Sequence, residues 1–162
     1  MDMEARGHSE HPQALRLWLR MLTLTQLVEK QVRFQLRTQW GTTLPRFDLM
    51  AQLERKPDGL KMNELSRRMM VSGGNVTGIT DQLVTEGLVE RVSVDGDRRA
   101  FHVRLTPSGR SLFGEMARQH EIWIVEAFGG LSPAETEALH QLLGKAKRHY
   151  QHHHHNTLVE TP

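Results

Sequence analysis

The residues best suited to do chemistry lie in one run, S-G-G-N-V-T-G-I-T-D-Q-L-V-T-E-G-L-V-E-R-V-S-V-D-G-D-R-R, from Ser72 to Arg99. That chemistry is hydrogen bonding and charge pairing, not bond making. Val76, Ile79, Thr80 and Leu83 recur at helical spacing and would face a core. Gly74, Gly78, Asp81 and Thr85 take the opposite side, with Asn75 and Thr77 flanking. Ser72 has the side chain of a helix N-cap, and Gly87 is placed to stop the helix. An extended segment, Leu88 to Val94, leads into a tight turn at Asp95-Gly96-Asp97-Arg98. Phe101, Val103 and Leu105 then alternate with His102 and Arg104, as in the second strand of a hairpin. A helix with an apolar back and a small polar front is narrow enough for the major groove of duplex DNA. Asn75 can pair with an adenine edge, and an arginine tip can reach the minor groove or the phosphates. Gly74 and Gly78 each cost a helix about 1 kcal/mol relative to alanine; on the presumed groove face, that cost argues for close backbone approach. The plain alternative for Arg98 and Arg99 is a solvated turn paired to Asp95 or Asp97. A hairpin directly after such a helix favours DNA contact.

The elements that must position this stretch are mostly helical. Pro12 to about Gln39 carries two apolar stripes, one through Leu15, Trp18, Leu19 and Leu22, the other through Met21, Leu24, Val28 and Val32. Two stripes on one long helix are more than a small domain can cover, and a partner subunit is the simplest cover. Pro45 sits near the start of the next helix, which buries Phe47, Met50, Ala51 and Leu53. Pro57-Asp58-Gly59 is a turn. Met62 to Met70 is a short helix with Leu65 and Met69 inward, and Arg67 and Arg68 outward towards phosphates. Thr106-Pro107 starts a helix that ends near Gly129-Gly130, and Ser132-Pro133-Ala134-Glu135 is a capping box for a last helix to about Tyr150. The expected fold is mostly α with a small β-hairpin wing: a winged helix-turn-helix over 45–105, with a helical dimerisation region from 12–40 and 106–150. Residues 1–11 are expected to be disordered, and 151–162 to form a flexible His-rich tail.

With 162 residues the chain can bury one ordinary core. Its formal charge is only +2, so a nucleic-acid partner is argued from where the cations cluster and not from their sum. The absence of cysteine excludes disulfides, Cys-ligated zinc and thiol redox sensing. There is no apolar run long enough for a membrane span and no signal-peptide core, so a cytoplasmic protein with no membrane partner is expected. No nucleophile motif, phosphate loop or carboxylate pair stands out, and neither enzyme activity nor a cofactor is expected.

Three segments resemble the MarR family of bacterial transcription regulators. L-S-R-R-M-M-V-S-x-x-N-V-T, from Leu65, resembles its helix-turn-helix core. G-L-V-E-R, from Gly87, resembles the link into its wing. D-G-D-R-R-A-F-H-V-R-L-T-P-S-G-R, from Asp95, resembles its wing signature. The resemblance implies a homodimer with interlocked outer helices. It implies two winged domains on a pseudo-palindromic operator, typically as a repressor released by a small ligand. Carried over by motif, Ser72, Asn75, Thr77 and Gly78 face the groove, Arg98 or Arg99 enters the minor groove, and Asp97 holds an arginine by a charge-assisted bond. The sequence departs from the family at Gly78 and Gln82, where basic residues are common, and Asp81 adds a negative charge. G-T-T-L-P-R-F-D-L-M-A-Q-L, from Gly41, with V-S-G-G-N-V-T-G resembles the branch that responds to hydroxycinnamates or their CoA thioesters and controls aromatic-acid catabolism.

An aromatic effector pocket would draw on Trp18, Trp40, Phe47 and Met50, with Arg20 or Arg46 for a carboxylate or CoA phosphate; Arg46 is the strongest single candidate. Ordinary core is the plain alternative for each apolar member. The ten histidines raise a metal-gated regulator as an alternative. His152 to His155, however, form a run suited to loose binding, and no metal site is assigned. A winged-helix module that binds protein instead of DNA is the other alternative.

Overall fold

A computed structural model describes residues 12–70, 75–94 and 97–159, with the side chains of 97–100 and 154–159 excepted. Six helices and one hairpin follow in order: α1 (Pro12–Trp40), α2 (Leu44–Glu54), α3 (Met62–Arg68), α4 (Val76–Thr85), β1 (Val89–Val94), β2 (Asp97–Leu105), α5 (Pro107–Ala127) and α6 (Pro133–Val159). They form two compact units, Met1–Trp123 and Ile124–Pro162. No helix among the described residues is long and apolar enough to cross a membrane.

The first unit is built around Leu36, Leu49, Met50, Leu53, Leu65, Leu83, Val89 and Val103, all essentially sealed from solvent. Local chemistry starts and stops each helix. Thr43 caps α2, accepting from the Arg46 N–H at 3.4 Å. Glu64 reaches back to the Lys61 N–H at the start of α3. Gly87, at φ +72°, ends α4 in a conformation that other residues adopt at a cost. β1 and β2 pair antiparallel from Val89–Leu105 to Ser93–Phe101, with an irregularity between Ser93 and Val94. Leu60 adds a short third edge, exchanging two backbone hydrogen bonds of 2.8 and 2.9 Å with Val103.

The start of α5 is tied to the end of α4. The Thr106 hydroxyl donates to the Gly87 carbonyl at 2.7 Å and accepts from the Gly109 N–H at 3.0 Å; Ser108 donates to the same carbonyl at 3.1 Å. A Cβ on Gly109 would lie 1.9 Å from the Leu88 carbonyl oxygen, so only glycine fits this crossing.

Two expectations need correction. α4 is capped by Asn75, not Ser72: the Asn75 Oδ1 accepts from the Gly78 N–H at 3.1 Å and the helix begins at Val76. Ser72 itself lies outside the described residues. The last helix runs past Tyr150 through the histidines to Val159. No glycine or proline interrupts the sequence between Gly144 and Pro162, so nothing breaks the helical hydrogen-bond ladder. The Ser132–Glu135 capping box is present, with bonds of 2.8 and 3.3 Å.

Candidate nucleic-acid interface

α4 is a short helix with a large hydrophobic asymmetry. Thr80 and Leu83 are fully buried, while Asn75, Thr77, Asp81, Gln82 and Thr85 are exposed. The buried Thr80 hydroxyl is spent on the Val76 carbonyl at 2.7 Å. Two side chains from elsewhere hold this helix, and a third holds the backbone just after α3. Asp48, buried on α2, accepts from the Met70 N–H at 2.7 Å and from Gln52 at 3.3 Å. This fixes the backbone just after α3. Arg46, also on α2, grips the Glu86 carboxylate with both terminal nitrogens, one at 2.9 Å. That bond holds the Glu86 carboxyl below its ordinary value, partly against its own desolvation. Arg91, on β1, pairs with Asp81 and lies over the Phe101 ring, 5.5 Å from its centroid. The helix is thus pinned at its middle and its end.

These contacts change the reading of several residues. Asp81 does not stand as a bare negative charge on the groove face, since Arg91 offsets it. The Asn75 carbonyl is committed to the cap, which leaves its amide N–H groups to face outward and weakens a two-bond reading of adenine. Gly78 has a local reason: a Cβ there would lie 3.0 Å from the Asn75 amide nitrogen, so the glycine makes room for the cap. Thr77 is exposed beside them. Arg67 and Arg68 are exposed at the end of α3, with the Arg67 Nε donating to the Asn63 carbonyl at 3.3 Å. The backbone of Asp97, Arg98 and Arg99 opens β2 beside the turn. Their side chains, and all of Gly74, lie outside the described residues.

The residues gathered for an effector divide. Phe47 and Met50 are core. Phe47 packs at a tilt against Phe113 and His120, with ring centroids 5.3 and 4.9 Å apart, and His120 meets Trp123 edge-on at 6.4 Å. Burial among these rings holds the His120 imidazole below its ordinary value. Trp18 is 56% exposed and, 22 residues from Trp40 along α1, sits about 33 Å from it at 1.5 Å per residue. One small pocket in one chain cannot use both. Arg20 is exposed on that same distant part of α1. Arg46 is engaged with Glu86, yet its Nε and the Trp40 Nε1 are buried donors without an acceptor among the described residues. An open cleft of about 420 Å³ lies nearby, lined by Arg33, Thr43, Pro45, Asn75, Gly78, Ile79 and Gln82. Among the described residues, no three His, Asp or Glu side chains gather as a metal site.

Sequence reasoning missed Asp48 and Glu86. The signal for Asp48 was available, as a lone acid inside the apolar segment F-D-L-M. Glu86 carried none, because its partner is 40 residues away.

Residues 40–100 match the sequence profile of the MarR family. A MarR family transcriptional regulator from Silicibacter pomeroyi is 34% identical, with 86% of this chain and 98% of that chain covered and a TM-score of 0.71. The uncharacterized HTH-type transcriptional regulator YkoM of Bacillus subtilis is 35% identical over 57% of this chain and 60% of its own length. Sco3205, a MarR family regulator of Streptomyces coelicolor solved in complex with DNA, has the same fold at a TM-score of 0.72 and 22% identity, covering 88% of this chain and 89% of that one. The chain spans about three fifths of the length of the curated relatives it matches.

Proposed function

We propose, since this chain belongs to the MarR family of transcriptional regulators, that it binds a pseudo-palindromic DNA operator as a homodimer and acts as a repressor. The observation that carries this reading is the mounting of α4. An exposed polar helix front is held from two sides by Arg46 and Arg91, as a rigid probe of a groove requires; Asp48 fixes the backbone just after the preceding helix. Arg67, Arg68 and the wing arginines Arg98 and Arg99 supply phosphate and minor-groove contacts; Thr77, Gly78 and Asn75 supply the groove face, and Asp97 steadies an arginine of the wing. That one fold relative was solved on DNA supports the same assignment.

Dimerisation draws support from α1, where Leu17, Trp18, Leu24, Leu27 and Phe34 are 41–62% exposed. At about 1.5–3 kcal/mol for fully burying a large apolar side chain, covering these half-exposed ones is worth on the order of 5 kcal/mol before the costs of association. A dimer must then hold its two α4 helices about 34 Å apart to engage successive turns of the duplex.

The effector we infer is a small aromatic acid or its CoA thioester, controlling genes of aromatic-compound catabolism. Buried donors on Trp40 and Arg46 lack an acceptor among the described residues, one that a carboxylate or carbonyl oxygen would supply if the site opened. The cleft against α4 is of a size that takes a small aromatic acid. A ligand favouring the non-binding spacing by a few kcal/mol suffices for release.

The test is fluorescence anisotropy of the full chain on duplex fragments from its own promoter region, over a salt series. Affinity should fall steeply with salt, and removing one arginine that touches a phosphate should reduce the log–log slope by about one. A flat salt response would instead favour a protein-binding winged helix. Thermal stabilisation by hydroxycinnamates or their CoA thioesters checks the effector.

A further inference from the structure

We propose that His149 and His153 form a two-imidazole site for a divalent transition-metal ion on one face of α6. The two residues are four apart in an unbroken helix, which puts them on one face in successive turns. Their rings are 4.4 Å apart between centroids, tilted at 55°. Two imidazole nitrogens that share a zinc ion, each about 2.0–2.1 Å from it, are about 3 Å apart. Rotation about the side-chain bonds brings rings so placed to that separation. This H-x-x-x-H pair is legible in the sequence, and attention to the run after it hides it.

The surroundings choose the ion. Lys145, Lys147 and Arg148 precede the pair, and their charge opposes a cation. Hard ions that depend on oxygen ligands, such as magnesium and calcium, gain nothing here. Copper, nickel and zinc gain from imidazole directly. With no third His, Asp or Glu ligand gathered among the described residues, water fills the remaining positions. The ion clamps one turn of α6 to the next and supports a segment whose histidines are mediocre helix formers. The site is independent of operator binding.

The experiment is calorimetric titration of the metal-free full chain with Zn²⁺ and with Ni²⁺, followed by circular dichroism at 222 nm. About one ion per chain is expected, with a gain in helicity. His149→Ala and His153→Ala should each weaken binding roughly tenfold or more and abolish the gain. His152→Ala, which leaves both rings of the pair in place, should change neither. If His152→Ala weakens binding as much as His149→Ala, the histidine run binds adventitious ions only and the proposal is overturned. Binding without any gain in helicity overturns it as well.

Discussion

α4 and α1 solve opposite problems. α4 has ten residues, with Leu83 buried and Val76, Ile79 and Val84 half-buried; its fully exposed side chains are polar, and it is braced by partners on α2 and β1. α1 has 29 residues, of which only Val32 and Leu36 are buried. The first is complete within one chain. The second is apolar surface awaiting a cover, in keeping with a proposed second copy. The contrast teaches that exposure means different things on the two helices: on α4 it is a polar reading surface, on α1 an unfinished core.

The same substitution at one site in each helix separates them most sharply. Leu83→Ala, at a fully buried position, should cost about 2–5 kcal/mol in chemical denaturation, at every protein concentration. Leu27→Ala, 62% exposed, should leave the fold of one chain nearly unchanged and weaken self-association in sedimentation equilibrium. Equal losses at both sites would erase the distinction. Asp48→Ala comes next. It strips the Met70 N–H of its acceptor and should cost about 1–3 kcal/mol in stability, with a drop in operator affinity larger than that loss alone explains.

A smaller effect follows acidity. Because burial holds the His120 imidazole below its ordinary 6.5, the neutral ring belongs to the folded state. Its contribution is whole above pH 6.5 and shrinks as the pH falls below that value, down to its folded-state value. Denaturation midpoints between pH 7.5 and 5.5 should fall less in His120→Phe than in the unaltered chain. Smallest for stability is Asp81→Asn, since its pair with Arg91 is largely exposed and worth about 0–1 kcal/mol. Its sharper readout is binding: Arg91, released, should raise affinity for any duplex and steepen the salt dependence. Unchanged salt dependence would mean that Arg91 stays clear of the phosphates.

The element order was legible because local chemistry announces it. Thr106-Pro107 and Ser132-Pro133-Ala134-Glu135 mark helix starts, Gly87 marks a stop, and alternation around Val103 marks the wing. The family motifs made the groove-facing region legible too. The bracing was not. Arg46 and Glu86 are 40 positions apart and Asp81 and Arg91 ten; which surface ions meet is decided by tertiary geometry, not spacing. For that reason Arg46 reads as a ligand arginine and Asp81 as a repulsive charge until their partners are seen. Ser72 and Asn75 are both good caps by type, and only the hydrogen bond to Gly78 selects between them.

The double hold of Thr106 and Ser108 on the Gly87 carbonyl makes the end of α4 and the head of α5 behave like a welded elbow. Neither element can tilt without the other. A swing of the head of α5 by a few degrees therefore carries the end of α4 and the root of its hairpin along in one stroke.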